Sequence, residues 1–337
     1  MRSLFSTCLQ IVFVIVACGS SGNGGQRLPI DEVRTIGVQL CDLFYGDELD
    51  LLHDRFADRN YSIDKLSEFR ERVADQFGKE IEILVEIPHV VAFTESNNGG
   101  LVYGYVRHSR FSKADHPVRT IFGFDRQGEI YRFEVTTLEY EAATEYSNYQ
   151  TKTKLRLPFD GEWFVAWGGR TIELNQHAVA SDQRFAYDFL IKRDGYSFKS
   201  DGLDNENYYC FNQEILAPGG GWIVEVVNDI PDNRHGETPQ IHGNRVIIDH
   251  HNGEYSVLSH FKRGSIVVEV GSEVVSGQLL GYCGNSGHSS EPHLHYHLQD
   301  TPVIEKGNGL PAQFELYEAN GREVRKGEPL IMQTVRH

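Results

Sequence analysis

Between Gly161 and Leu298 no stretch long enough for a helix repeats its apolar residues at helical spacing. Instead, Gly264, Gly271, Gly277, Gly281, Gly284 and Gly287 cut the chain into short β-rich runs. Glycine reaches turn conformations that other residues resist, so this punctuation predicts short strands joined by tight turns. Asn252-Gly253, between Arg245–His251 and Glu254–Phe261, is a strong hairpin signal. The second half therefore reads as an all-β domain, an antiparallel sheet or sandwich, over residues 151–337 with its core at 175–300. The first half differs. Val33, Ile36, Leu40, Leu43 and Phe44 fall on one helical face. Ser62 then caps a run containing Leu66, Phe69, Val73 and Phe77, which Gly78 closes. Strands follow at Ile81–Thr94, Gly100–Phe111, Val118–Phe124 and Glu129–Leu138, with a turn at Asp125–Gly128. Helices followed by antiparallel strands make an α+β domain, placed at residues 30–150. The polar stretch from Tyr146 to Lys154 reads as the linker. Two domains suit a chain of 337 residues.

Residues 1–17 form a different kind of segment. Arg2 precedes an apolar run from Leu4 to Ala17, the pattern of a signal-peptide core. Ile15-Val16-Ala17-Cys18 resembles a bacterial lipobox, in which the cysteine is acylated after cleavage. Residues 18–29 then form a flexible tether rich in Gly and Ser. An ordinary secretory signal is the alternative. The lipobox resemblance implies an exported protein anchored to a membrane through lipidated Cys18. In a two-membrane host it would sit on the periplasmic face of the outer membrane, otherwise at the cell surface. An oxidising compartment permits a disulfide. Cys210 and Cys283 are the one pair to consider, and three buried thiols, with Cys41, are the alternative. The formal net charge of −16 opposes nonspecific binding to nucleic acid, which needs an excess of Lys and Arg.

Eleven of the 15 histidines lie from His177 onward. The sharpest cluster is Pro292-His293-Leu294-His295-Tyr296-His297. In a strand, alternate residues share a face, so His293, His295 and His297 point one way and Leu294 and Tyr296 the other. Neighbours on that face stand about 7 Å apart along the chain. Zinc favours imidazole and carboxylate ligands. A catalytic zinc takes three protein ligands and leaves a position for water. Phe185–Ile191 reads as an apolar strand carrying one acid, Asp188, which is costly there unless paired or bound to a cation. Asp182, in the preceding loop, is the other acid to consider. Tyr255–Phe261 is a strand with a histidine, His260, near its end.

These elements occur in the order His177, Asp188, Ala217–Gly221, Gly243–His250, His260, Gly281–Gly287 and Pro292–His295. In that order they resemble the lysostaphin-type (LytM-like) zinc metallopeptidases, cell-wall hydrolases that cleave peptide bonds in peptidoglycan stems or cross-bridges. The resemblance implies one Zn2+ held by His177, Asp188 and His295. It implies His293 as catalytic base and His260 as the second catalytic histidine. It implies a peptidoglycan peptide as substrate. One departure concerns the acid: the family spacing is His-x-x-x-Asp, whereas ten residues separate His177 from Asp188 here. A second is the long stretch from Lys192 to Gln213, read as a loop over the cleft. His250, His251 and His297 are expected to serve as structural hydrogen-bonding groups. The α+β half is similar in pattern to the cystatin-like, nuclear-transport-factor-2-like cone, an accessory domain expected to position the enzyme at the wall or a partner. A noncatalytic wall-binding or amidase-regulating member of the same fold would lack one or more of the five positions, and all five are filled. Val267–Gln278 also looks like the hammerhead hairpin of biotinyl carriers, but no attachment lysine lies between Lys262 and Lys306.

Overall fold

The computed structural model describes residues 12–14, 27–57, 62–93, 100–239 and 241–337. Cys18 and the tether up to residue 26 lie outside the described residues, as does the leader except for the backbone of Val12–Val14. The chain divides into two compact units, with the break between Glu139 and Tyr140. Among the described residues no helix is long and apolar enough to cross a membrane.

The first unit is α+β. Helix α1 (Ile30–Tyr45) buries Val33, Leu40, Cys41 and Phe44. A short α2 (Leu49–His53) follows. Helix α3 (Ile63–Phe77) starts where the Ser62 side chain accepts from Lys65 N, and stops at Gly78, whose φ of +79° other residues resist. The strands are β1 (Val12–Val14), β2 (Glu80–Phe93), β3 (Gly100–Phe111), β4 (Val118–Phe124) and β5 (Ile130–Thr137). They form one antiparallel sheet in the order β1-β5-β4-β3-β2. The turn between β4 and β5 forms as expected, with Asp125 Oδ1 accepting from the amides of Gln127 and Glu129. Its core is aromatic: Phe133 stacks on Phe122 with centroids 4.4 Å apart, and meets Phe44 and Phe69 edge-on.

The second unit is all-β, with two short 3-10 turns at Gln176–Val179 and Asn205–Asn207. Its strands are β6 (Glu162–Trp167), β7 (Tyr187–Leu190), β8 (Glu214–Leu216), β9 (Gly221–Val227), β10 (Asn244–Asp249), β11 (Tyr255–Phe261) and β12 (Glu273–Val274). They continue as β13 (Leu279–Tyr282), β14 (Leu294–Gln299), β15 (Gly309–Leu310), β16 (Phe314–Ala319), β17 (Arg322–Gly327) and β18 (Thr334–Arg336). Eleven of them form one sheet, in which β11, β14 and β7 are adjacent and antiparallel. Strands β8 and β13 pair separately. One face packs Leu258, Leu294, Tyr296 and Leu298 with Trp163, Phe189 and Phe314 into a continuous core. Each fully buried side chain of this kind contributes about 1.5–3 kcal/mol of transfer free energy. Turning the odd-numbered residues of β14 away from that core is what brings its histidines together.

The segment from Tyr146 to Lys154 is not a free linker. It is fastened to the second unit through Glu254, which is completely buried. The Glu254 carboxylate accepts from Tyr149 Oη, Lys152 N, Thr153 N and Thr153 Oγ1. Thr151 makes a reciprocal pair with Gln313. A buried carboxylate demands donors, and this polar strip supplies them. Burial alone would raise the Glu254 carboxyl pKa, but these hydrogen bonds outweigh it and hold the value below its ordinary one. The stability Glu254 contributes is therefore full above the unfolded glutamate pKa of about 4.3 and is lost as pH falls through the lower folded value. Glu254→Gln puts an amide NH2 against these donors, and is expected to cost about 3 kcal/mol at neutral pH. The gap to wild type should narrow as the medium is acidified. Thermal melts across that pH range check this, and a gap independent of pH would refute it.

Candidate active site

Three elements bring the chemistry together. In the antiparallel register of β14 and β7, His295 lies directly opposite Asp188. Strand β11 flanks β14 on its other side, with Ser259 opposite His295. The third element is the loop carrying His177, held by Asn175. The Asn175 side chain is fully buried and caps the 3-10 turn by accepting from His177 N. Its amide also donates to Gly169 O and to Ala186 O at 2.9 Å. Asn175 thus pins both ends of the ten-residue excursion and folds His177 back over Asp188.

The resulting contacts are short. His177 Nε2 lies 2.9 Å from Asp188 Oδ2, and His295 Nδ1 lies 2.9 Å from Asp188 Oδ1. His177, Asp188 and His295 form a group able to hold a metal ion, their ligand atoms all within 4.8 Å of one another. The donor set of two imidazoles and one carboxylate suits zinc. Burial alone would raise the Asp188 carboxyl, but the surrounding imidazoles of His177, His293 and His295 hold it well below the usual carboxylate range. Asp188 is therefore an anion. Burial, before any other influence, pushes His295 below its ordinary pKa and so keeps it neutral, the state a ligand needs. The other acid, Asp182, is occupied elsewhere: its Oδ2 accepts from Glu305 N at 2.9 Å.

His293 and His260 stand beside this group. His293 Nε2 is 3.6 Å from Asp188 Oδ1, and the rings of His293 and His260 are 4.6 Å apart. Each ring is oriented by a backbone carbonyl. His293 Nδ1 faces Glu291 O at 2.8 Å, and His260 Nδ1 faces Ser286 O at 2.7 Å. A carbonyl oxygen only accepts, so each Nδ1 carries the proton, and in the neutral ring Nε2 is left with a free lone pair. Burial, with the nearby His293 and His295, pushes His260 well below its ordinary pKa, so the neutral form prevails.

His260 reaches the site through a β-bulge. The register between β10 and β11 shifts at Asn244/Arg245, whose partners are Phe261 and Ser259, leaving His260 as the extra residue. Its φ is +68°, uncommon outside glycine. Bulges re-aim a side chain, and Leu258 and Phe261 both reach the core although their positions differ in parity.

The stretch from Lys192 to Gln213 packs along this strand end. Ser197 Oγ donates to Glu291 Oε2, and the Cys210 thiol contacts Pro292 O. Asn285 Nδ2 donates to Asn205 Oδ1, while Ser289 Oγ bridges Asn285, Glu291 O and His293 Nδ1. These polar supports were not singled out from the sequence as site residues. A signal for Asn175 existed in its position just before a candidate ligand. Cys41, Cys210 and Cys283 are free, buried thiols, so the structure contains no bridge between the latter two. His250 plays the expected structural part, contacting Gly220 O and Ser256 Oγ.

Fold and site together define a β-sheet domain with a His-Asp-His group able to hold a metal ion, flanked by two imidazoles whose Nδ1 atoms face backbone carbonyls. Residues 199–308 match the model of Peptidase family M23. The match lies within the second unit and takes in about a third of the chain. The matched segment includes His260, His293 and His295, whereas His177 and Asp188 precede it. No curated protein matches the chain. Among solved structures, the catalytic domain of lysostaphin from Staphylococcus simulans is 17% identical, with a TM-score of 0.27, over 50% of this chain and 95% of that one. Pseudoalterin, an M23 metalloprotease from the deep sea, is 17% identical with a TM-score of 0.30, over 54% and 99%. A solution structure of lysostaphin aligns at 20% identity and a TM-score of 0.25 over 37% of this chain, and the match spans only 40% of that chain.

Proposed function

We propose that the protein is an exported zinc endopeptidase that hydrolyses peptide bonds in bacterial peptidoglycan, in a stem or a cross-bridge. The observation that carries this reading is the convergence of His177 and His295 on Asp188 at 2.9 Å, beside two histidines with free Nε2 lone pairs. His177, Asp188 and His295 hold one zinc ion. Zinc bound there supplies a Lewis acid that polarises a carbonyl and acidifies water. His293 Nε2 accepts the proton of the attacking water and hands it to the leaving amine. His260 Nε2 shares that task. With its Nδ1–H committed to Ser286 O and its charge opposed by burial, it serves as a second acceptor in preference to a standing cation. Glu291, Ser289 and Asn285 orient His293 and line the approach with the stretch from Lys192 to Gln213. Lipidated Cys18 tethers the enzyme to a membrane, and the first unit positions it at the wall or a partner.

The test uses residues 27–337 with purified peptidoglycan, the released peptides being read by mass spectrometry. Zinc-loaded protein should open one defined peptide bond. Stripping with a chelator should abolish release, and added zinc should restore it. Stoichiometric zinc without any newly opened bond would overturn the enzymatic reading and leave a noncatalytic wall-binding member of the fold.

A further inference from the structure

His297 stands one strand repeat beyond His295 and belongs to neither the metal-binding group nor the proton-accepting pair. It is nevertheless fully enclosed, at 2% exposure, and both of its nitrogens are engaged. His295 Nε2 lies 3.0 Å from His297 Nδ1. His297 Nε2 lies 3.2 Å from Gln299 Oε1. Gln299 Nε2 in turn donates to Thr301 O at 2.7 Å. The four residues sit at every second position along β14 and its continuation, so the pleat aligns them in one row.

The direction of this row follows from its far end. Thr301 O is a backbone carbonyl and can only accept, so the Gln299 amide must present its NH2 there. The Gln299 side chain is completely buried, and its Oε1 is left facing His297. That oxygen also only accepts, so His297 Nε2 bears the proton. A neutral imidazole carries one proton, which leaves His297 Nδ1 bare to accept from His295 Nε2–H. With Nε2–H committed to His297, a neutral His295 would offer an unprotonated Nδ1 to a metal lying between it and Asp188, whose Oδ1 is 2.9 Å away. The opposite direction would require protons on both nitrogens of His297, a buried cation with only neutral partners on either side.

We propose that His297, with Gln299 and the Thr301 carbonyl behind it, is a positioning residue that fixes the tautomer and ring angle of His295 and so strengthens its hold on the metal. This rests on the reading of His295 as a zinc ligand. Outer partners of metal-bound histidines typically change metal affinity by about 10- to 100-fold. The row uses an imidazole and a side-chain amide where a carboxylate would be the simpler acceptor, so it holds the ligand without adding a second buried anion next to Asp188.

The test measures zinc affinity by competition with a chromophoric chelator at neutral pH, on residues 27–337. His297→Leu removes the acceptor and is expected to weaken zinc by about 10- to 100-fold. His297→Asn places a carbonyl oxygen near the position of Nδ1, and should recover most of that loss. In zinc-loaded wild type, long-range 1H–15N spectra should show His297 as the Nε2–H tautomer, a readout that stands even if the leucine variant fails to fold. Wild-type affinity in His297→Leu, an Asn variant no tighter than the Leu variant, or an Nδ1–H tautomer at His297 each overturns the proposal. If wild type takes up no zinc, or His295→Ala binds it undiminished, the zinc reading itself fails and the proposal with it. If both controls behave and His297→Leu is unchanged, the failure belongs to the relay alone.

Discussion

Asp188→Asn is expected to lower zinc affinity by about 10³-fold or more and to take peptide release to background, because a ligand is lost together with its charge. The geometry makes the amide worse than a missing group. Asp188 presents Oδ2 to His177 Nε2 and Oδ1 to His295 Nδ1, each at 2.9 Å. An asparagine must turn its NH2 toward one of them. That NH2 would donate into a lone pair the metal needs, so a second ligand is blocked as well. Asp182→Asn provides the contrast, since Asp182 accepts from Glu305 N and stands outside the group. Its zinc content should match wild type, with any loss confined to thermal stability. Metal analysis after gel filtration checks both variants. Stoichiometric zinc in Asp188→Asn, or its loss in Asp182→Asn, would move the acid ligand to the other residue.

What the sequence revealed and what it concealed divide along physical lines. Period-two alternation suffices to put His293, His295 and His297 on one face, because a strand's side chains obey it without help from tertiary contacts. The cost of burying a lone acid in an apolar strand likewise singled out Asp188 over Asp182. The ten-residue gap between His177 and Asp188 could not be closed by spacing rules. It is closed by the Asn175 amide binding Gly169 O and Ala186 O, a loop pairing with no local periodicity. For His260, named from the sequence, it is the orientation that was concealed. Alternation along β11 would put it on the core face with Leu258, and the bulge reverses that assignment. The polar strip around Tyr149 and Thr153 reads as linker by composition, yet its donors are what the buried Glu254 carboxylate requires. In each case the sequence named the residue or segment, and what it left unread was the hydrogen-bond partner that sets its placement.

Removing His293 and His260 should separate metal binding from turnover. His293→Ala and His260→Ala are each expected to retain zinc, since neither belongs to the His177–Asp188–His295 group. Each should lose about 10²- to 10⁴-fold in kcat/KM, the range of positioned general acid–base catalysis. The losses should not multiply. The two rings are 4.6 Å apart, and each is held with Nδ1–H on a backbone carbonyl and Nε2 free. In the proposed mechanism they act on one proton as a unit, and groups acting as a unit are strongly non-additive when removed together. The double variant should fall within about tenfold of the weaker single variant. Ser289→Ala should cost far less than either, because Glu291 O still orients the His293 ring at 2.8 Å. Zinc content and initial rates of peptide release from peptidoglycan decide the matter. Independent losses that multiply in the double variant would mean the two histidines act at different steps. Near-wild-type turnover in His293→Ala would remove it from the proton path altogether.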